Sequence, residues 1–282
     1  IAGACLLGIA PRYQTAFFLV GSGSNSKSCT LDILAGLFPK EQVIALKPQE
    51  MDEDYKRALL VDARINIVSE VPERELFDTG PFKAIVDGSP TIARQIREAP
   101  ITFQPKAGHI FACNRLPNFS DFTDGFVRRV MVLTYNRVFT AAESRRTLAR
   151  DLLEVEKAGI TNWALIGAQR LLTRKAYTEP ASSRRAKFEW GTTSNHVAAF
   201  VGEATTPVGV EEGRGTMSDN LYQAYREWCR DNGLHPYNKN NFCARLGYLK
   251  IPNHTYKVLG QGNIKRAYYS LKLTPQYSHF LS

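Results

Sequence analysis

Residues 19–29 read LVGSGSNSKSC, and the side chains there with chemical potential are Lys27 and Ser28, at the end of a run of glycine and serine. In a phosphate-binding loop, glycines let backbone N–H groups converge on phosphate oxygens, a lysine reaches the β and γ phosphates, and a Ser/Thr hydroxyl holds Mg²⁺. Gly21, Lys27 and Ser28 occupy those positions, whereas Ser26 stands where the pattern has a glycine. A serine still offers its N–H, but if the loop needs a backbone conformation that only glycine adopts freely, its Cβ costs about 1–2 kcal/mol. The expected nucleotide-binding set is Gly21, Ser22, Gly23, Ser24, Asn25, Ser26, Lys27, Ser28 and Cys29, with weakened binding or slowed turnover.

Four downstream residues have roles that would complete a phosphoryl-transfer site. Glu70 closes INIVSE, where a carboxylate can bind Mg²⁺ through water or polarise the water that attacks the γ-phosphate. Asn114 closes HIFACN, placed to orient the same water, and Arg128 and Arg129 follow DFTDGF, placed to stabilise transferring charge from a neighbouring subunit. Singly these read as a surface acid, a turn former and a solvated loop end. In strand–loop order they make a constellation of distinct catalytic roles.

The elements needed to position them are legible as short apolar runs. AFFLV (16–20) enters the loop, KSCTLDILAGLF leaves it at helical spacing, and INIVSE, HIFACN and RRVMVLTY read as strands buried inside a layered α/β sheet. RELFDTGPFKAIVDG reads as a helix interrupted near Gly80–Pro81, and residues 141–173 turn helical. Residues 203–219 lack periodicity and read as a linker. Beyond it come a helix capped by Asp219 and stopped by Gly233, a second helix, and two strands around a glycine turn, an order that predicts a winged helix-turn-helix.

Charge is concentrated in that last part. Of the net +9, residues 221–282 hold nine Lys/Arg against Glu227 and Asp231, a local +7. Interleaved with Tyr222, Tyr225, Trp228, Tyr237, Tyr248, Tyr256, Tyr268 and Tyr269, these cations are expected to form a DNA-facing surface, with Lys265 and Arg266 on the hairpin. The five cysteines are scattered without metal-ligand spacing, and no apolar run has the length of a membrane span, so a cytoplasmic protein without a membrane partner is expected. The chain starts inside an apolar stretch, which predicts a natural start upstream.

Taken together, GSGSNSKSC, INIVSEVPE, FKAIVDGSPTIARQIREAPITFQPKAGHIFACNRLP, DGFVRRV and GITNWALIGAQRLL resemble the successive motifs of the superfamily 3 helicase domain of phage and plasmid primase-helicases, the group that includes the poxvirus primase-helicase. The resemblance covers residues 1–175 strongly and the basic tail more loosely. It implies an AAA+-like P-loop ATPase, with a central parallel sheet between helices, that uses ATP and Mg²⁺, assembles as a ring, usually a hexamer, and moves 3′-to-5′ on single-stranded or forked DNA. A primase or polymerase domain of the same polypeptide would lie upstream, and a phage-encoded protein would act in the host cytoplasm. DGSPTIARQIRE resembles the stretch leading into the DNA-tracking hairpin of the viral helicases, which assigns Arg94, Gln95 and Arg97 to DNA, with Ile96 near the tip. Lys83 matches a family lysine of unassigned role.

Two departures bear on activity: Ser26 replaces the family's glycine, and Ser69–Glu70 stands where many relatives have two acids. The expected organisation is an ATPase core over 1–140, a helical segment over 141–202, a linker over 203–219 and a DNA-binding module over 220–282. One rival is a DNA-binding replication factor with a vestigial nucleotide site. Another is a small P-loop phosphotransferase with an appended basic domain.

Overall fold

The computed structural model describes the chain except residues 73–77, 96, 118–123, 194–195, 209–214, 235, 258–264 and 282. It separates into two units, Ile1–Trp190 and Gly191–Ser282.

In the first unit, α1 (Ala2–Leu6) precedes β1 (Ala16–Val20), whose residues are all apolar and which therefore needs cover on both faces. It lies inside a parallel sheet with α2 (Lys27–Ala35), β2 (Val43–Ile44), α3 (Asp54–Arg57), β3 (Ile65–Val68), α4 (Thr79–Val86), β4 (Thr91–Ala93), β5 (Ile101–Phe103), β6 (Gly108–Cys113), α5 (Asp124–Val127) and β7 (Val130–Thr134) following in the chain. The five strands are ordered β2-β3-β6-β1-β7 and run in one direction, while β4 and β5 form a separate antiparallel hairpin. Successive side chains point to opposite faces. Thus Phe18, Phe111 and Val68 join Phe82 in one core, and Phe17, Leu19 and Ile110 join Leu31 and Leu34 in the other.

Two long elements close the unit. α6 (Leu148–Arg174) contributes Ala164 and Leu171 to the second core, and α7 (Ala181–Thr193) lays Trp190 against Phe18 and Phe126 in the first. The Trp190 indole N–H donates to the Pro117 carbonyl at 3.0 Å. The break expected near Gly80–Pro81 falls where α4 starts: Asp78 caps it, accepting from the Gly80 N–H at 2.8 Å, and Pro81 falls in the first turn, where its missing N–H costs nothing, while residues 73–77 of the expected helix lie outside the described residues.

A buried polar pair crosses the sheet. Asn66 is held by the Leu46 main chain on both amide atoms at 2.8 Å, and its Nδ2 donates to Nδ1 of His109, the cross-strand neighbour, at 3.1 Å. Burial pushes the His109 pKa down to about 4, so the imidazole is neutral in the fold and protonates near 6.5 once unfolded. Its contribution is therefore present above pH 6.5 and is lost as pH falls toward 4. Urea unfolding at pH 7 and pH 4.5 should show a loss on acidification roughly 2–3 kcal/mol larger in the parental chain than in His109→Asn; equal losses would contradict a neutral buried His109.

The second unit contains α8 (His196–Ala204), β8 (Thr205–Pro207), β9 (Thr216–Met217), α9 (Ser218–Asp231), α10 (Lys239–Tyr248), β10 (Asn253–Lys257), β11 (Lys265–Tyr269) and β12 (Leu271–Leu273). β10 and β11 form the expected hairpin, whose turn lies outside the described residues, and β9 pairs on the other side of β11. The described parts of the expected linker are therefore integral to the unit, since β8 pairs with β12 and β9 with β11. The unit boundary falls at 190/191 instead, where Trp190 is committed to the first unit's core. Met217 rather than Asp219 stands at the N-cap of α9, and Gly233 ends that helix with a φ of +66°.

Three of the tail's aromatic residues belong to a core rather than to the expected surface, Tyr222 and Tyr237 are half-buried, and the side chains of Tyr248, Tyr256 and Tyr268 lie outside the described residues. Tyr225, Trp228 and Tyr269 are buried with Phe200 and Phe242, because on α9 Leu221, Tyr225 and Trp228 recur at helical spacing on one face. Arg245 is also buried, its guanidinium 3.8 Å over the Tyr237 ring. The exposed cations here include Arg226, Arg230, Lys250 and Lys272, while the side chains of Lys265 and Arg266 lie outside the described residues. No helix among the described residues is long and apolar enough to cross a membrane.

Candidate active site

β3, β6 and β1 are consecutive neighbours running in parallel, so their carboxyl ends open on one edge of the sheet, the edge where ligands of open α/β sheets bind. Each leads to residues singled out from the sequence: Glu70 just beyond β3, Asn114 just beyond β6, and the Gly/Ser loop with Lys27 after β1. Gly23 through Ser28, Ser69, Glu70, Cys113 and Asn114 line a single cleft of about 310 Å³. Cys29 lies inside the first turn of α2, half-buried, where burial raises its pKa.

The loop is built around the Lys27 ammonium. Its Nζ donates to the Gly21 carbonyl at 2.5 Å, Asn25 Oδ1 at 3.2 Å and the Ser22 carbonyl at 3.3 Å, and it reaches Asn114 Oδ1 at 3.5 Å. Lys27 is only 8% exposed, and burial lowers its pKa. These acceptors are neutral oxygens, so the fold places a cation at the floor of the cleft and leaves its charge to be matched by an anion.

The segment after β7 holds the loop from outside. The Asn25 amide donates to the Tyr135 carbonyl at 3.2 Å, and the Phe139 N–H donates to the Ser24 carbonyl at 2.7 Å. Gly21 is required by this closeness, since a Cβ there would meet both Asn25 Nδ2 and the Tyr135 carbonyl at 2.4 Å. Sequence reading missed Tyr135 and Phe139 because they act through main-chain groups, which leave no signature in residue type.

Ser26 has a φ of +66°, the left-handed conformation that the missing glycine adopts freely, and Ser24 is left-handed too at +58°. Ser26 also starts α2, its carbonyl accepting from both the N–H and the hydroxyl of Thr30 at 3.0 Å. Ser26→Gly is expected to stabilise the chain by about 1 kcal/mol, read as a raised denaturant midpoint. An unchanged or lowered midpoint would show that the serine carries no strain.

The two arginines are separated by their surroundings. Arg129 is 8% exposed and its guanidinium grips the Asp87 carboxylate with two nitrogens, Nε at 2.6 Å, while Nη1 donates to the Gly125 carbonyl. Arg128 is exposed, with one hydrogen bond from Nη1 to Gln14 Oε1 at 3.2 Å. Arg129→Ala strands the Asp87 charge in the interior and should cost about 3–5 kcal/mol of stability. An Arg129→Ala chain as stable as its parent would contradict that structural role.

Arg128 precedes β7, whose Val130 sits beside Ala16 at the start of β1, whereas the loop follows the other end of β1. At 3.3 Å per residue, the six residues from 128 to 134 separate Arg128 from the loop edge by roughly 20 Å. The structure brings Lys27, Ser28, Glu70 and Asn114 together and sets Arg128 and Arg129 apart from them.

Arg94, Gln95 and Arg97 are exposed in the connection between β4 and β5, Arg97 with a φ of +66°, and Ile96 lies outside the described residues. Lys83 is half-buried on α4.

Residues 19–129, which carry the loop, Glu70, the hairpin and Asn114, match a family described as of unknown function, DUF5906. Residues 192–270 match the model described as Poxvirus D5 protein-like. The second unit is similar to poxvirus D5-like proteins. The resemblance to the poxvirus-type group is thus supported, by a match that falls on the tail rather than on the sheet. No curated protein matches the sequence.

Among solved structures, the A-form apo C-terminal region of NrS-1 superposes with a TM-score of 0.50 at 12% identity, covering 97% of this chain and 71% of that one. This likeness establishes the fold, an α/β architecture with a central parallel sheet. A second NrS-1 structure, residues 305–718, gives a TM-score of 0.44 at 14% identity over 95% of this chain and 70% of that one. A JCV helicase with a substituted N-phenylacetamide bound gives 0.36 at 13% identity over 71% of this chain and 60% of that one.

Proposed function

We propose that the chain is a DNA-dependent ATPase of the superfamily 3 helicase type, hydrolysing ATP at the contacts between subunits of a ring. The observation that carries this reading is the convergence of Lys27, Ser28, Glu70 and Asn114 in one cleft, with Arg128 exposed roughly 20 Å away at the opposite end of the sheet. A site that lacks its arginine in the same chain is completed by a second copy.

The residues fit Mg²⁺–ATP. The buried Lys27 ammonium faces neutral oxygens and is matched by β and γ phosphates; the Ser28 hydroxyl and the Glu70 carboxylate, both exposed to the cleft, would hold Mg²⁺. Bound there, Mg²⁺ would neutralise charge developing on the transferred phosphoryl group. Glu70 also accepts the proton of the attacking water, and Asn114, already tied to the Lys27 ammonium, orients that water. Arg128 of the neighbouring subunit stabilises the transition state.

Arg94, Gln95 and Arg97 on the β4–β5 hairpin contact DNA phosphates. The second unit, in which α9 and α10 precede the β10–β11 hairpin, is read as an AAA+ companion module of winged-helix type that holds DNA. A primase domain upstream, a phage origin and a cytoplasmic setting follow from the resemblance.

The left-handed Ser26 favours a second reading, a DNA-binding ring in which the nucleotide site has decayed. Steady-state ATP hydrolysis with and without single-stranded DNA decides between them. Stimulated turnover, faster again in Ser26→Gly, supports the motor. Absence of turnover in both chains, in preparations that assemble and bind DNA, supports the decayed site.

A further inference from the structure

An isolated two-stranded hairpin is marginal in water, and an unpaired edge strand exposes a row of main-chain groups. The β4–β5 hairpin is such a pair, with Thr91, Ile92 and Ala93 opposite Phe103, Thr102 and Ile101. The outer edge of β4 is nevertheless satisfied. The Ile92 carbonyl accepts from Arg57 Nε at 2.8 Å, and the Arg94 N–H donates to the Asp54 carbonyl at 3.2 Å. Residues 92 and 94 present these groups on the edge away from β5, so the α3 turn supplies the donor and acceptor that a third strand would otherwise provide.

Arg57 makes this brace rigid. Its Nη1 donates to the carbonyls of Met51 at 3.2 Å and Asp52 at 2.9 Å, and its Nη2 pairs with the Asp54 carboxylate. The fork therefore ties the 51–52 turn, the start of α3 and the hairpin into one piece, and its side chain is 14% exposed. A lysine has the charge but not the planar fork and can satisfy only part of this set.

We propose that Arg57 is a positioning residue for DNA binding: it sets the stance of the β4–β5 hairpin so that Arg94 and Arg97 reach successive phosphates together. The inference rests on reading that hairpin as the DNA contact. Arg57 itself touches protein rather than DNA, which separates a positioning role from a charge role.

The test is binding of a fluorescent single-stranded oligonucleotide across a salt series by the full chain, Arg57→Lys, Arg57→Ala and the double variant Arg94→Ala/Arg97→Ala. Far-UV circular dichroism checks that each is folded, and Arg57→Lys is the deciding variant because it retains the charge. Arg57→Lys should bind about fivefold or more weakly, with a salt slope smaller by about 1.4, the value for two lost single-strand phosphate contacts despite an unchanged charge. Parental affinity and slope in Arg57→Lys, with binding lost in the double variant, would overturn the positioning role alone. Parental binding in the double variant would overturn the hairpin reading on which it rests.

Discussion

Arg128→Ala should reduce ATP turnover of the assembled protein by about 10³-fold or more, the size of effect seen when an arginine finger is withdrawn. The expectation follows from position. β1 and β7 run in parallel with Ala16 beside Val130, so Arg128 lies at the amino end of the sheet while Lys27 lies at the carboxyl end. Within one chain it is too far from the phosphates to touch them. In a ring, the carboxyl-end cleft of one subunit faces a different surface of the next, and an exposed guanidinium held among the described residues by one hydrogen bond, to Gln14, can turn toward it. Binding of an ATP analogue should change little, because the effect belongs to the transition state. Steady-state turnover and analogue binding measured on the same preparation check both halves. Turnover within a few-fold of the parent would remove Arg128 from the site.

Lys27→Ala should lower turnover by about 10²–10³-fold and weaken nucleotide binding as well. The ammonium is the donor that gathers the Gly21 carbonyl, Ser22 carbonyl and Asn25 Oδ1 into the loop, and in the proposed function it is also the ligand for phosphate. Alanine therefore removes the charge and leaves three oxygens without their donor. This double loss distinguishes Lys27 from Arg128: one variant should fail to hold nucleotide and the other should hold it without hydrolysing it. Analogue binding by Lys27→Ala equal to that of the parent would show that the loop does not engage phosphate.

Much of the site was legible because its parts follow strands with unmistakable composition. AFFLV, INIV and HIFAC are apolar at nearly every position, the character of strands buried on both faces in a parallel sheet. Their parallel alignment then brings Lys27, Glu70 and Asn114 to one edge without further information. The difference between Arg128 and Arg129 was not legible, since it depends on Asp87, 42 residues away in the chain, and two adjacent arginines look alike until their partners are known.

The tail misled for a different reason. Tyrosines among arginines satisfy the composition of a nucleic-acid surface, yet Leu221, Tyr225 and Trp228 form the apolar stripe of α9 and pack on Phe200 and Phe242. Helical spacing was the better guide there than composition. The strands in the described parts of the expected linker were not legible because β8 and β9 are only three and two residues long, too short to show a strand period, and their pairing with β12 and β11 is set by the tertiary fold. Ser26 shows the converse: the question posed by the missing glycine has a direct structural answer in a left-handed serine.

The central claim is that each catalytic site is shared between two chains, and mixing Lys27→Ala with Arg128→Ala subunits tests it most directly. Neither variant alone should turn over ATP, but in a randomly mixed ring about a quarter of the contacts pair an intact Lys27 with an intact Arg128 from the neighbour. Mixed subunits should therefore recover about a quarter of the parental DNA-stimulated rate. A mixture no more active than the sum of its two components, in rings shown to contain both chains, would contradict a site shared between subunits.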